Sequence, residues 1–335
     1  MENFLHSDST VNGAPFAATP AESLQVSIII PAFNAAKTVV RAIDSVLIQQ
    51  GTTNEVIIID DGSADDTVAV ARARARGLPN VHVIEMERNR GVSAARNAGI
   101  AAAKGKYIAF LDADDMWLSG KLSKQVAIME EDPAVSLVSC NSRLISADGV
   151  VLKEGHLNRP PVEGADAWKT LLMYNFIPTP TVLARTAMIK ASGGFDESLA
   201  VGEDLDLWIK LGTRGKIAML SEILINYYDT SGSLMKRHGS EAGVIVTPMI
   251  DRHLAAQSHR LSLSEIRGIR GTQSFRMGCD LFFTGSYRAS VPMFLKSASL
   301  GTRPIKSLLY VPRAFIMELL TMTKRRFAAP AARPD

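Results

Sequence analysis

The chain has 335 residues, enough for about two domains or one large domain with an appendage. At 47% hydrophobic and 21% charged residues it is too apolar for wholesale disorder, and 37 basic against 34 acidic side chains leave a net charge of only +3. Such a balance gives no general electrostatic drive toward nucleic acid.

Two cysteines, Cys140 and Cys279, exclude a disulfide framework and carry no CxxC zinc spacing; idle thiols in a reducing compartment are the expectation. No uninterrupted run of about 18 apolar residues is present, which argues against a simple transmembrane helix. Residues 1–25 are small and polar, with Glu2 where a secretion signal carries positive charge, and are read as a flexible leader. His6, His82, His156, His238, His253 and His259 show no metal-ligand spacing and are expected to be incidental.

From Val26 the pattern becomes regular. VSIII (26–30), EVIIID (55–60), VHVIEM (81–86) and KYIAFLD (106–112) are short Val- and Ile-rich runs, long enough for strands buried on both faces and too short for buried helices. Helical segments near 35–50, 64–76 and 92–103 separate them. This alternation predicts an α/β, Rossmann-like, mostly parallel sheet flanked by helices. A helix near 119–131, a strand at 135–140 and a hairpin turning at Asp148-Gly149 are expected next. Then come a helix around 165–174, a strand at 181–185, a helix ending near 212, and strands at 216–220 and 223–228 that close a first domain (26–235).

Residues 236–335 read as a helical C-terminal region. Between Gly285 and Phe327 eight basic residues meet one acid, Glu318, and alternate with residues such as Phe294, Leu308, Leu309, Phe315 and Leu319. Such a tail suits an anionic membrane surface; it equally suits a helical subdomain with a solvated basic face. No nucleic-acid motif accompanies the charge, so no nucleic-acid partner is expected.

Ligands of such sheets bind beyond the carboxyl ends of the strands. Those ends carry Pro31-Ala32-Phe33-Asn34, Asp60-Asp61-Gly62-Ser63, Asn89-Arg90-Gly91 and Asp112-Ala113-Asp114-Asp115. Five carboxylates at two of them are costly unless a cation or hydrogen-bond donors offset their charge. Alternate carboxylates at a strand end lie about 6–7 Å apart on one side, and Mg²⁺ or Mn²⁺ takes such oxygens together with phosphate. A solvated capping cluster is the plain alternative. Asp61 can accept from a base or ribose edge, or simply enter a helix. Gly91 permits close backbone approach at a helix start suited to an anion. Arg96 can reach a phosphate or tether a carboxylate. Far along the chain, Glu203-Asp204 offers either a general base facing the cluster or acids placed to suit a helix dipole.

The segments VSIIIPAFNAAKTVVRAIDSVLIQQ, EVIIIDDGSADDT, NRGVSAARNAGIAAAKGKYIAFLDADD, GGFDE and GEDLDLW together resemble family 2 glycosyltransferases, over residues 26–212. The resemblance implies the GT-A nucleotide-diphospho-sugar transferase fold, and inverting sugar transfer to a glycan or lipid-linked acceptor in bacterial exopolysaccharide or envelope glycan synthesis. It further implies that Pro31, Ala32, Phe33, Asn34 and Asp61 line the nucleobase site. Asp112 and Asp114 match the DxD motif, Asp114 as metal ligand and Asp112 nearer the ribose, with Ala113 between and Asp115 adjacent to the Mn²⁺ or Mg²⁺. Gly91 and Arg96 join the donor site, and Asp204 matches the base. A cytoplasmic enzyme, peripheral on the cytoplasmic face of the inner membrane, follows from the same resemblance and the basic tail. Many relatives carry a YRxH-type segment after the last strand. Here Tyr227-Tyr228-Asp229-Thr230 lacks its Arg and His, and Lys236, Arg237 and His238 lie just beyond.

Three alternatives compete. A sugar-phosphate nucleotidyltransferase would show a Gly-rich basic loop where Pro31-Ala32-Phe33-Asn34-Ala35-Ala36-Lys37 stands. An aspartate-nucleophile phosphatase would carry Thr or Val where Met116 stands. A non-catalytic sugar-nucleotide-binding or membrane-scaffold protein has no need to keep Asp61, Asp112, Asp114 and Asp204 together.

Overall fold

A computed structural model of the chain describes residues 24–155, 162–229 and 242–328, apart from the side chains of 242, 244 and 324–328. Most of the expected leader, and Lys236, Arg237, His238 and His156, lie outside the described residues.

The first half alternates as its sequence pattern predicts: β1 (Val26–Ala32), α1 (Val39–Leu47), β2 (Asn54–Asp60), α2 (Thr67–Ala75), β3 (Val81–Glu85), α3 (Val92–Ala102) and β4 (Tyr107–Phe110). There follow β5 (Met116–Trp117), α4 (Lys121–Glu131), β6 (Val135–Ser146), β7 (Val151–Lys153), α5 (Ala167–Leu171), β8 (Leu183–Arg185), α6 (Thr186–Ala191), α7 (Glu203–Gly212) and β9 (Lys216–Asp229). Four helices complete the described chain: α8 (Ala242–Ala256), α9 (Leu263–Phe283), α10 (Tyr287–Ser299) and α11 (Pro304–Ala328).

One sheet runs in the order β3-β2-β1-β4-β8-β6-β9-β5, with β7 paired to β6 as a hairpin. The first four strands pair in parallel. β8 then runs antiparallel to both β4 and β6, and β9 is parallel to β6. The two short strands expected at 216–220 and 223–228 are one continuous strand; its pairing to β6 shifts register around Cys140 and Asn141, and such a bulge bends a strand without ending it. β5, only two residues long and antiparallel to β9, was not anticipated from the sequence.

Strand alternation sorts the core into two layers. Ile29, Ile57, Ile59, Ile108 and Phe110 face α3, α5 and α7. Ile28, Ile30, Val56, Ile58, Tyr107 and Ala109 face α1 and α4. The first layer extends into the C-terminal region through Met249, Ile250 and Leu254 of α8 and Ile269 of α9. Lys169 of α5 reaches Glu265 of α9 at 2.9 Å, and the Arg260 guanidinium lies over the Trp168 ring. Beneath the end of β4, Phe110, Phe195 and Trp208 meet edge to face or tilted at 5.3–6.0 Å. This knot draws the 193–197 loop and α7 up against α3 and the end of β4.

The small residues of α3 let it approach β1 closely. A Cβ on Gly99 would come within 2.5 Å of Ile29 Cγ2, deep in the first layer. Gly99→Ala is therefore expected to destabilise the fold by about 1–3 kcal/mol, read from urea denaturation midpoints. Unchanged midpoints would show that α3 can withdraw from the sheet without cost.

Candidate functional site

The carboxyl ends of β1, β2 and β4 converge as polar turns tied to one another. After β1, Asn34 sits at φ 49°, a left-handed conformation that Asn tolerates. Its Oδ1 accepts from Ala64 N at 2.9 Å, its N–H donates to Ser63 Oγ, and Ala35 N donates to Thr67 Oγ1 at 2.7 Å. Phe33 is half exposed beside these turns, while Pro31 and Ala32 belong to the buried end of β1.

Asp61, almost fully buried, spends both oxygens on the third turn, accepting from Arg90 N at 2.7 Å and Gly91 N at 2.8 Å. The Gly91 N–H thus faces Asp61. Gly62 is required by this packing: a Cβ there would stand 2.6 Å from Asn89 N. Asp60 accepts from Ser63 N and leaves its other oxygen buried without a partner.

The centre of the site is Arg96. Buried on α3, it donates to Asp112 Oδ1 at 2.8 Å and to Glu203 Oε1 at 3.0 Å, with its guanidinium over Phe195. Burial alone would make this cation easier to neutralise; Asp112 and Glu203 more than offset it and hold it protonated. Of the two readings open from the sequence, the structure displays the tether. Asn97, one residue on, clasps Phe195 N and O at 2.9 Å and Glu197 at 3.0 Å.

Asp112, Ala113 and Asp114 follow β4, with Ala113 buried and both carboxylates partly open. Arg41 of α1 donates to the Asp114 carbonyl at 2.6 Å and stacks on Tyr228 at 3.7 Å. Asp115 is turned inward: its Oδ1 accepts from Tyr228 N at 2.9 Å and its Oδ2 is buried without a partner. Burial, then the charges of Asp112 and Asp114, push its carboxyl well above the usual range.

Asp204 enters from the first turn of α7. Asn175 donates to its Oδ2 at 2.9 Å and Thr179 at 3.4 Å, while Leu205 N donates to Oδ1. Burial and the Glu203 charge raise it to about 7. Arg96, bound to both Asp112 and Glu203, links the two groups of carboxylates, and they act on common neighbours. Tyr227, near the end of β9, has its phenol pushed upward first by burial and then by Asp115, Asp112, Asp114 and Asp204 together; Arg96 likewise feels Asp112, Glu203 and Asp204.

Arg41, Asn175 and Thr179 were not singled out from the sequence, and Tyr227 was noted there only within the stretch that lacks the YRxH-type Arg and His. Only Arg41, a lone cation in the apolar run VVRAIDSV, left a signal there. His253 is not incidental: its ring nitrogen meets Asp206 at 2.8 Å, and Lys210 holds the other Asp206 oxygen at 2.6 Å.

Among the described residues no three metal-ligating side chains converge. The donor set is one of hard oxygens, with crowded negative charge and an orphaned Asp115 oxygen beside it. That fits a divalent cation completed by phosphate and water rather than an all-protein cage. Residues 230–241, which follow Tyr227, Tyr228 and Asp229, lie outside the described residues.

Residues 27–190 match the family described as Glycosyl transferase family 2. The chain is 32% identical over 271 residues to the succinoglycan biosynthesis protein ExoO of Rhizobium meliloti, covering 75% of each. To the Escherichia coli enzyme WfaP, a UDP-Glc:α-D-GlcNAc-diphosphoundecaprenol β-1,3-glucosyltransferase, it is 32% identical over 206 residues, 61% of this chain and 76% of WfaP. It spans 32% of the length of a matching glycosyltransferase of Rickettsia bellii. Among solved structures, Staphylococcus aureus TarS in complex with UDP-GlcNAc superposes with a TM-score of 0.56 at 18% identity, over 90% of this chain and 92% of that one.

Asp204 gives a test of the crevice's electrostatics that needs no substrate. Its carboxyl titrates near 7 when folded and near 3.8 when free. The folded state therefore keeps a proton that the unfolded state loses, and stability falls as pH rises through that window. Asp204→Asn removes the group, so its stability relative to wild type is expected to climb between these pH values. The slope approaches about 1.4 kcal/mol per pH unit and levels off above neutrality. A difference that stays flat with pH would contradict the raised carboxyl.

Proposed function

The chain belongs to glycosyl transferase family 2, and on that footing we propose an inverting, metal-dependent transfer of a sugar from a nucleotide-diphospho-sugar to an acceptor hydroxyl. Its fold is GT-A, shared with TarS. The nucleotidyltransferase, phosphatase and non-catalytic readings yield to that family. Synthesis of an exopolysaccharide or envelope glycan is the setting its relatives' names support.

One observation carries the mechanism: Arg96 ties Asp112, after β4, to Glu203, whose neighbour Asp204 is raised to about 7. A base poised near neutrality both accepts a proton readily and is substantially ionised at working pH. In this reading Asp204 takes the acceptor hydroxyl's proton, while Asn175 and Thr179 fix the direction of its Oδ2. The hydroxyl oxygen bonds to C1 as the C1–O bond to the diphosphate breaks on the opposite face, which inverts the anomeric centre. No covalent enzyme nucleophile is needed.

Asp114 and Asp112 would hold Mn²⁺ or Mg²⁺, which when bound offsets the charge developing on the departing diphosphate. Arg96 keeps Asp112 in place, and Arg41 pins the backbone of Asp114. Asp115 anchors the turn to Tyr228 beside them. Pro31, Ala32, Phe33 and Asn34 frame the nucleobase side. Asp61 shapes the adjoining turn by holding Arg90 and Gly91 from behind. A glycan or lipid-linked acceptor, met at the cytoplasmic face of the membrane, extends the reading along the line of the diphosphoundecaprenol named for WfaP.

Nucleoside diphosphate release, measured over a panel of sugar nucleotides, is the direct test. Release should require Mn²⁺ or Mg²⁺ and cease with chelator. Asp114→Ala should lose metal-dependent donor binding in calorimetry; undiminished binding would remove it from the metal site. Asp204→Asn should bind donor normally yet turn over roughly 10²-fold or more slowly, and the wild-type kcat should rise with pH through about 7. Near-normal turnover of that variant would place the base elsewhere.

A further inference from the structure

Helix α11 is packed inside out. Ser307 and Ala314 are buried against the body of the protein, with Tyr310 between them stacking on Phe294 of α10 at 4.7 Å. The opposite face carries Leu308, Leu309, Phe315, Ile316, Leu319 and Leu320, each more than half exposed. An ordinary surface helix does the reverse, turning its apolar stripe to the core. With Ile305 the strip runs about 24 Å along the axis, and a contiguous apolar surface of that extent marks a contact with something outside the chain.

Charge identifies what that something is. Lys306 and Arg313, seven residues apart, share one flank of the strip, and Lys296 is exposed on α10 beside Leu295. The single acid of residues 285–327, Glu318, lies on the other side, 3.5 Å from Arg288. A second copy paired antiparallel on this face would set Lys306 and Arg313 against their own counterparts, and a parallel copy would leave both basic flanks without an acidic partner. A bilayer with anionic headgroups accepts both the apolar strip and its basic flank. No helix among the described residues is long and apolar enough to cross a membrane.

We propose that the outward face of α11 docks the protein on an anionic lipid bilayer, the helix lying in the interfacial plane with Lys306 and Arg313 at headgroup level. The inference rests on the membrane placement made above and supplies its structural means. Its test needs neither donor nor acceptor, so it can fail while the transfer chemistry stands.

Full-length protein is sedimented with phosphatidylcholine vesicles, with and without roughly 30% phosphatidylglycerol. Wild type should pellet with the anionic vesicles only and be released by high salt. Leu319→Glu/Leu320→Glu should lose vesicle binding by about tenfold or more, and the milder Lys306→Gln/Arg313→Gln should weaken it several-fold. Both should keep wild-type circular dichroism and calorimetric donor binding. Failure of wild type to pellet with anionic vesicles would overturn the proposal, as would equal binding to neutral ones or undiminished binding by both variants. Analytical ultracentrifugation supplies a further outcome: a wild-type oligomer that the Leu319→Glu/Leu320→Glu variant dissolves, without vesicle binding, would make the strip a subunit interface and end the proposal.

Discussion

The architecture of the crevice hangs on one buried cation. Arg96 joins Asp112, at the end of a central parallel strand, to Glu203 at the start of α7, 107 residues beyond Arg96 itself. Removing a partner from a buried ion cluster of this kind typically costs about 3–5 kcal/mol, because an uncompensated charge is left behind. Replacing the whole cluster by apolar groups is often neutral, so stability alone does not explain the triad. It does fix where α7 begins relative to the end of β4. With Glu203 pulled to Arg96, the next residue along, Asp204, is set in the same crevice as the carboxylates after β4. The Phe110–Phe195–Trp208 knot beneath Arg96 makes that setting rigid.

Helix α7 then separates two carboxylates by environment. Asp204 and Asp206 lie two residues apart, hence on different sides of the helix. Both are pushed upward by burial. Asp206 meets His253 and Lys210, which more than reverse the effect and hold it below the ordinary range. For Asp204, burial and the Glu203 charge outweigh its neutral donors and the pull of Arg96, and it stays near 7. One becomes a strut binding α8 to the α/β unit, and the other keeps a proton within reach of neutral pH. Sequence spacing makes both helix-start acids; Lys210 one turn on and partners from α5's neighbourhood and α8 tell them apart.

That division marks how far the sequence could be read. The Val- and Ile-rich runs and the turns at Asn34, Gly62 and Gly91 are local: their residue types dictate strand, turn and direction, so β1 to β4 and the polar strand ends were legible. The assignment of oxygens was not. Nothing local says that Asp61 faces Arg90 and Gly91, that Asp115 folds inward onto Tyr228, or that Arg41 reaches across to the Asp114 carbonyl. These pairings span 29 to 113 residues and exist only once the sheet has closed. β5 and the unbroken course of β9 were hidden for the same reason. A two-residue strand has no period, and a bulge is visible only against its partner.

Helix α11 shows the same limit from the other direction. Its periodicity announces an apolar stripe but does not say which way the stripe points, and most helices answer by facing it inward, as α1 does with Val39, Ala42, Ile43 and Val46. In α11 the inward seat is already taken. Phe275, Phe282 and Phe294 close around Tyr310, and Ser307 and Ala314 fill the narrow seam. No room remains there for the leucines and isoleucines that outnumber these contacts. Turning the helix to bury them would expose the Tyr310 stack without closing the seam. Internal packing thus fixes the rotation of α11, and that rotation leaves its larger apolar face, with the basic flank beside it, directed away from the protein.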